Sequence, residues 1–215
     1  MSLRAARRSV RAWAAGYDVP ISPLLNLLSS GQQKMTSDFP NSSQPTSQCL
    51  KRLTQEFKTL SSSPTSPPAL AALSPCTDTD LLHWRAILLG PPSSPYSHGR
   101  WLLSLDVPIN YPLAPPHITF LTSCYHPNVH FSTGEICLDL LRKDAWSPAF
   151  TLVSALEAVQ GLLRWPEEGV DSPLNVDLAA LMRSGDRVAW EGMVRFWCEE
   201  RTWEGHGLGM NEENR

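Results

Sequence analysis

No stretch of this sequence stays apolar long enough to cross a membrane. Its uninterrupted apolar runs are a handful of residues, against the roughly 20 that a spanning helix needs. An excess of positive charge is also lacking: 18 Lys+Arg stand against 21 Asp+Glu, a net charge of −3. That balance gives no support to a protein that tracks the phosphates of a nucleic acid. Cysteine pairs are missing too. Five cysteines, at 49, 76, 124, 137 and 198, make an odd and irregular set with no C-x2-C spacing. With no secretory signal pattern, the sequence predicts reduced thiols. No G-x-S-x-G elbow occurs, so a Ser-His-Asp hydrolase is not indicated. Internal repeats are absent as well. Glycine is outnumbered by proline, 12 to 19, which points to turns and rigid connections. What is present is 42% hydrophobic residues, enough to exclude a wholly disordered chain of this length.

The prolines and serines lie mostly outside any periodic pattern. Residues 1–47 are polar and read as a poorly ordered extension, 48–200 as one domain, and 201–215 as a tail. The first 17 residues carry Arg4, Arg7, Arg8 and Arg11 with no acid before Asp18, a composition compatible with an organelle transit segment or a basic tail. Met35 opens a second polar N-terminus. The last 17 residues hold five Glu and two Arg and read as a solvated end, with Trp203 as the residue able to pack.

Inside the domain, Leu50, Leu53, Phe57 and Leu60 recur at three- and four-residue steps with Lys51, Arg52, Gln55, Glu56 and Lys58 opposite, which predicts an amphipathic helix from Gln48. Residues 81–89, 100–107 and 117–122 read as strands, with 69–73 as a further candidate, an antiparallel meander. Three helices follow. Residues 151–163 have Thr151 as N-cap; 173–182 place Pro173 in the first turn; 186–198 space Trp190, Met193, Val194 and Trp197 as packing positions. Helix, meander, then helices is an α+β arrangement.

Between meander and helices lies an aperiodic stretch, 123–148, that holds two cysteines and two histidines. Long irregular segments inside a compact domain are usually functional. Cys124, His126, His130 and Cys137 lack the paired spacing of structural zinc sites, so a metal reading is weak. Cys137 alone, flanked by Ile136 and Leu138, would read as a buried inert thiol. Its company changes that: His126-Pro127-Asn128, a Gly-containing turn, Ile136-Cys137-Leu138-Asp139, then Trp146-Ser147-Pro148-Ala149.

This combination resembles the ubiquitin-conjugating enzymes, whose signature is an HPN tripeptide, a catalytic Cys in an ICLD string and a WSPA loop. The helix KRLTQEFKTL, the HW…GP…SPY…G meander, YPLAPP and DSPLN match in order, so the resemblance runs from about Cys49 to at least Met182. It implies the family's UBC fold: an N-terminal helix, a four-stranded antiparallel meander and C-terminal helices. Cys137 is then the thiol that takes ubiquitin from the activating enzyme as a thioester. Asn128 is the candidate for stabilising the oxyanion or holding the loop. Asp139 and Ser172 flank the acceptor's approach, and His126 and Pro127 are loop-structural. Pro112, Leu113, Trp146, Pro148 and Ala149 match the patch where RING-type ligases dock. No cofactor is implied, since ATP is used upstream by the activating enzyme.

Departures accompany the match. Asn128 and Cys137 are nine positions apart, one more than usual, Cys137 to Trp146 is also one longer, and the Pro166–Pro173 stretch is two longer. Leu113 replaces a frequent Phe and Ser172 a frequent Asp. GEICLDLL, KDAWSP and DSPLNVDLAALMRSGD look like the peroxisomal branch of fungi. That likeness implies a cytosolic protein recruited to the peroxisomal membrane by a membrane-anchored partner, with a cysteine of the import receptor as acceptor. A lysine-modifying enzyme of another pathway, or a non-catalytic ubiquitin-binding variant of the fold, stands as the alternative.

Overall fold

The computed structural model describes residues 44–63, 66–77 and 79–204. The Arg-rich start and Met35 lie outside the described residues, as does the tail beyond 204.

Helix α1 (Ser47–Ser62) begins at Thr46, whose side chain accepts from the Cys49 N–H. Strands β1 (Leu70–Thr77), β2 (Asp80–Leu89), β3 (Arg100–Asp106) and β4 (His117–Phe120) form one antiparallel sheet in sequence order. Helices α2 (Leu152–Arg164), α3 (Val176–Arg183) and α4 (Arg187–Glu200) follow, with single 3-10 turns at Asp139–Leu141 and Pro166–Gly169. The expected fourth strand is present, and the α+β arrangement holds.

Alternation on the strands produces two faces. Trp84, Ala86 and Leu88 of β2, Trp101, Leu103 and Leu105 of β3, and Ile118 and Phe120 of β4 join the main core. Against them pack Cys49 and Leu53 of α1, and Leu152, Ala155, Leu156, Val159 and Leu163 of α2. The opposite face carries a smaller apolar group: Ala72, Ile87, Leu102 and Trp203, all buried. Trp203 is held there by its N–H on the Arg100 carbonyl at 2.7 Å, and the Thr202 hydroxyl accepts from the Arg100 N–H at 3.1 Å. Thr202 and Trp203 are thereby held against the outer face of the sheet.

Three helical expectations need correcting. On α1 the buried stripe is Cys49, Leu53 and Glu56, whereas Leu50 is 39% exposed. A carboxylate occupies a core position because partners await it there. Residue 173 does not open α3; the helix starts at Val176, capped by the Asn175 side chain on the Leu178 N–H. Asn175 supplies an acceptor that Pro173 cannot. On α4, Trp190 and Val194 are buried but Met193 is 41% exposed, one helical step round from the packed stripe. Thr151 does cap α2, in a reciprocal box with Ser154 that satisfies two otherwise orphaned N–H groups.

Candidate active site

The aperiodic stretch is ordered chiefly by backbone groups and one histidine. His126 is fully buried. Its Nε2–H donates to the Leu162 carbonyl in the last turns of α2 at 3.1 Å, and its Nδ1 accepts the Asn128 N–H at 3.0 Å. One carbonyl that the helix end would leave unpaired is thereby satisfied. The same two bonds require a neutral ring. Burial pushes the His126 pKa down to about 3, with the Leu162 carbonyl opposing the shift. In this geometry His126 staples the loop to α2, and its lowered pKa keeps the ring neutral at neutral pH. Pro127 extends the staple: its carbonyl accepts from both the Leu174 N–H at 2.8 Å and the Asn175 N–H at 2.9 Å. Two adjacent residues thus grip the end of α2 and the entry to α3.

From Asn128 the chain makes a small hairpin and returns to Cys137. Val129 pairs with Ile136, and the Cys137 N–H donates to the Asn128 carbonyl at 2.8 Å. Asn128 and Cys137, nine positions apart, become neighbours across this ladder. The returning arm is fixed to the sheet through Thr119–Glu135 pairing and the Phe120 N–H on the Gly134 carbonyl at 2.9 Å. Gly134 has φ 72°, and a Cβ there would meet the Phe120 carbonyl oxygen at 1.8 Å, so glycine is required both for the turn and for the approach. The outgoing arm meets α4: the rings of Tyr125, Phe131 and Trp197 contact one another pairwise, with centroids 5.0–5.8 Å apart.

Of the five cysteines, Cys49, Cys124 and Cys198 are buried. Burial raises all three thiols, Cys198 to about 12. Cys76 is exposed on β1, where partial desolvation also raises its thiol. Cys137 is exposed on the ordered loop. The geometry removes the inert-core reading of Cys137, since its neighbours Ile136 and Leu138 pack on the core while the cysteine faces out. Among the described residues no group of three or more His, Cys, Asp or Glu is arranged to hold a metal ion.

Asp139 starts the 3-10 turn after the thiol, is almost fully exposed, and lies 3.7 Å from Arg142. Ser172 is exposed, two residues before the segment anchored on Pro127. The five expected docking residues divide. Leu113, at 61%, is exposed, as are Pro148 and Ala149; Pro112 and Trp146 are buried. The Trp146 indole N–H donates to the Pro112 carbonyl at 2.8 Å, which locks the two loops together. The exposed part of the expected docking patch is therefore Leu113, Pro148 and Ala149, carried on the buried Pro112 and Trp146.

Sequence reasoning missed the network that holds this frame. Glu56, 8% exposed, accepts from Arg52 Nε at 2.6 Å and the Tyr111 hydroxyl at 2.7 Å on Oε1, and from the Leu152 N–H at 2.8 Å on Oε2. Its charge sits at the N-terminus of α2, where the helix dipole favours it. Arg52 also reaches the Pro148 carbonyl at 2.8 Å and the Phe150 carbonyl at 2.6 Å. Burial pushes the Tyr111 phenol far up, and the Glu56 carboxylate adds to the shift. The spacing of Glu56 from Leu53 and Cys49 was the available signal, a charge on the apolar side of the helix.

A sequence profile described as "Ubiquitin-conjugating enzyme" matches residues 52–198. "Ubiquitin-conjugating enzyme E2 PEX4" of Gibberella zeae is 45% identical over 151 residues, 70% of this chain and 86% of the relative. "Protein PEROXIN-4" of Arabidopsis thaliana is 44% identical over 146 residues, 68% of this chain and 90% of the relative. A solved structure of H. polymorpha Pex4p, crystallised with the soluble domain of Pex22p, superposes with a TM-score of 0.64 at 36% identity, covering 72% of this chain and 98% of that one.

Proposed function

We propose, because the chain belongs to the ubiquitin-conjugating enzyme family and is similar to its PEX4 and PEROXIN-4 members, that Cys137 carries ubiquitin and delivers it to a cysteine of the peroxisomal import receptor. The observation that carries this reading is the pairing of an exposed Cys137 with Asn128 across a loop stapled by His126.

In the first step the Cys137 thiolate attacks the carbonyl of ubiquitin's C-terminal glycine, thioester-linked to the activating enzyme. A C–S bond to Cys137 forms, and the activating enzyme's thiolate leaves and takes up a proton. In the second, an acceptor thiol or amine attacks the new thioester, its proton passes to water, and the Cys137 thiolate leaves. A thiolate is a good leaving group, so neither a metal nor an organic cofactor is needed on this chain. Asn128 stabilises the tetrahedral oxyanion or holds the loop that does. Exposed Asp139 would serve the alternative, a cationic lysine acceptor. Ser172 brings no charge of its own to that rim, beside the exposed Asp171. Leu113, Pro148 and Ala149 form the RING-type ligase contact.

No helix among the described residues is long and apolar enough to cross a membrane. Recruitment by a membrane-anchored partner is supported by the relative's complex with the soluble domain of Pex22p. On this reading the enzyme works at the cytosolic face of the peroxisome, and residues 48–200 are the catalytic domain, with Trp203 packed against it.

The test is incubation with activating enzyme, ATP and ubiquitin, followed by a non-reducing gel. A thiol-sensitive adduct is expected on the parent and absent from Cys137→Ala; Cys137→Ser forms an ester that resists thiol reagents. No adduct on the parent would refute the carrier role. Asn128→Ala is expected to slow discharge by about 100-fold and charging less, the loss typical of one oxyanion donor. Faster discharge to free cysteine than to free lysine supports the thiol acceptor, and comparable rates would count against it.

A further inference from the structure

We infer that Trp197 of α4 is a positioning residue for the thiol loop, acting through Phe131 and Tyr125. The inference rests on Cys137 being the ubiquitin carrier. The hairpin from Asn128 to Cys137 has two arms, and they are held differently. The returning arm, Gly134 to Ile136, is bonded to β4 and to the outgoing arm. The tip, His130 to Gly134, has one apolar side chain, Phe131; Ser132 and Thr133 are exposed. Phe131 packs on Trp197 with centroids 5.0 Å apart at 65°, and on Tyr125 at 5.6 Å and 89°, both edge-to-face. Tyr125 closes the triangle on Trp197 at 5.8 Å. Edge-to-face pairs of this kind add attraction beyond area burial.

The triangle spans the residues that matter. Tyr125 immediately precedes the His126 staple, and Phe131 lies three residues after Asn128. Both ends of the Asn128 segment are therefore referred to one side chain on a helix 60 residues further along the chain than Cys137. Trp197 is itself braced by Phe196 at 5.4 Å and by the Arg201 guanidinium 5.8 Å above its ring. The bonds to β4 hold the returning arm, so Phe131 at the tip takes its side-chain support from elsewhere. Helix α4 supplies it.

The experiment compares the parent with Trp197→Leu, Trp197→Phe and Phe131→Ala, all below their melting temperatures. Each is charged with ubiquitin, chased with free cysteine, and followed by amide hydrogen exchange at His130, Gly134 and Cys137. Misplacing reacting groups by about 1 Å can cost on the order of 100-fold. A partly loosened hairpin therefore predicts about tenfold slower discharge in Trp197→Leu and Phe131→Ala, with the half-saturating cysteine concentration unchanged and faster exchange at the three amides. Trp197→Phe, which keeps a ring, restores most of the rate. Thioester formation with discharge and exchange within about twofold of the parent in both Trp197→Leu and Phe131→Ala would overturn the inference and leave the carrier reading intact. No thioester on the parent would overturn both. Phe131→Ala sits at a half-buried loop tip, so it remains informative if Trp197→Leu fails to fold.

Discussion

Acid should loosen the thiol loop through His126, and by a calculable amount. In the folded protein this ring is neutral, with its pKa depressed from 6.5 to about 3 by burial. In the unfolded chain it titrates normally, so between those values the unfolded state binds the extra proton. The stability linked to His126 is therefore fully present above about 6.5 and is lost as pH falls toward about 3. At about pH 5 the two values imply a loss of about 2 kcal/mol relative to pH 8. For a domain of this size that is about 4–8 °C in Tm. His126→Gln offers one donor and one acceptor but does not titrate, so it isolates the effect. Urea unfolding of both proteins should show the stability gap between parent and variant narrowing by about 2 kcal/mol from pH 8 to about pH 5. Other titrating groups contribute alike to both and cancel. A gap that changes by less than about 0.5 kcal/mol would refute the buried, neutral staple.

Two other perturbations test the frame. Glu56→Ala strands the Arg52 guanidinium, the Tyr111 hydroxyl and the Leu152 N–H; a loss of about 3–5 kcal/mol is expected in urea unfolding, and less than about 1 kcal/mol would mean the network is solvated in solution. Trp203→Ala uncovers Ala72, Ile87 and Leu102 and is expected to cost about 3 kcal/mol; thermal unfolding unchanged from the parent would return Trp203 to a frayed tail.

Much of the fold was legible because its signals are local. Thr151 as a cap, alternation in residues 81–89 and 100–107, and the helical spacing of Trp190 and Val194 need only near neighbours to be read. The site was legible differently: HPN, ICLD and WSPA carry little local periodicity, and it was their order that identified them. What stayed hidden depends on distant partners. Glu56 looks like a surface charge until Tyr111 and Leu152 are brought to it. Trp146 and Pro112 are 34 positions apart, and the bond from indole to carbonyl that ties their loops together cannot be read locally. Trp203 sits among Glu and Gly residues, and only the outer face of the sheet shows why it is buried. Pro173 offered a plausible helix start; Asn175 prevailed because a side-chain acceptor was needed one residue before Val176.

The grip of His126 on Leu162 and of Pro127 on Leu174 and Asn175 has a consequence for how this protein can vary. Both ends of the stretch from 163 to 173 are moored to one dipeptide, so that stretch is a closed excursion. Residues added inside it bulge outward and leave the moorings where they are. The entropic charge is small, about 0.6 kcal/mol for each doubling of a flexible loop. Lengthening the Pro166–Pro173 stretch is therefore expected to leave Asn128 and Cys137 in place. The stretch does carry Ser172 on the excursion itself. On the proposed reading, the acceptor rim at Ser172 is thus moored apart from the loop that holds Cys137, and substitutions between 165 and 173 are expected to change acceptor preference while the His126 and Pro127 bonds stay in place.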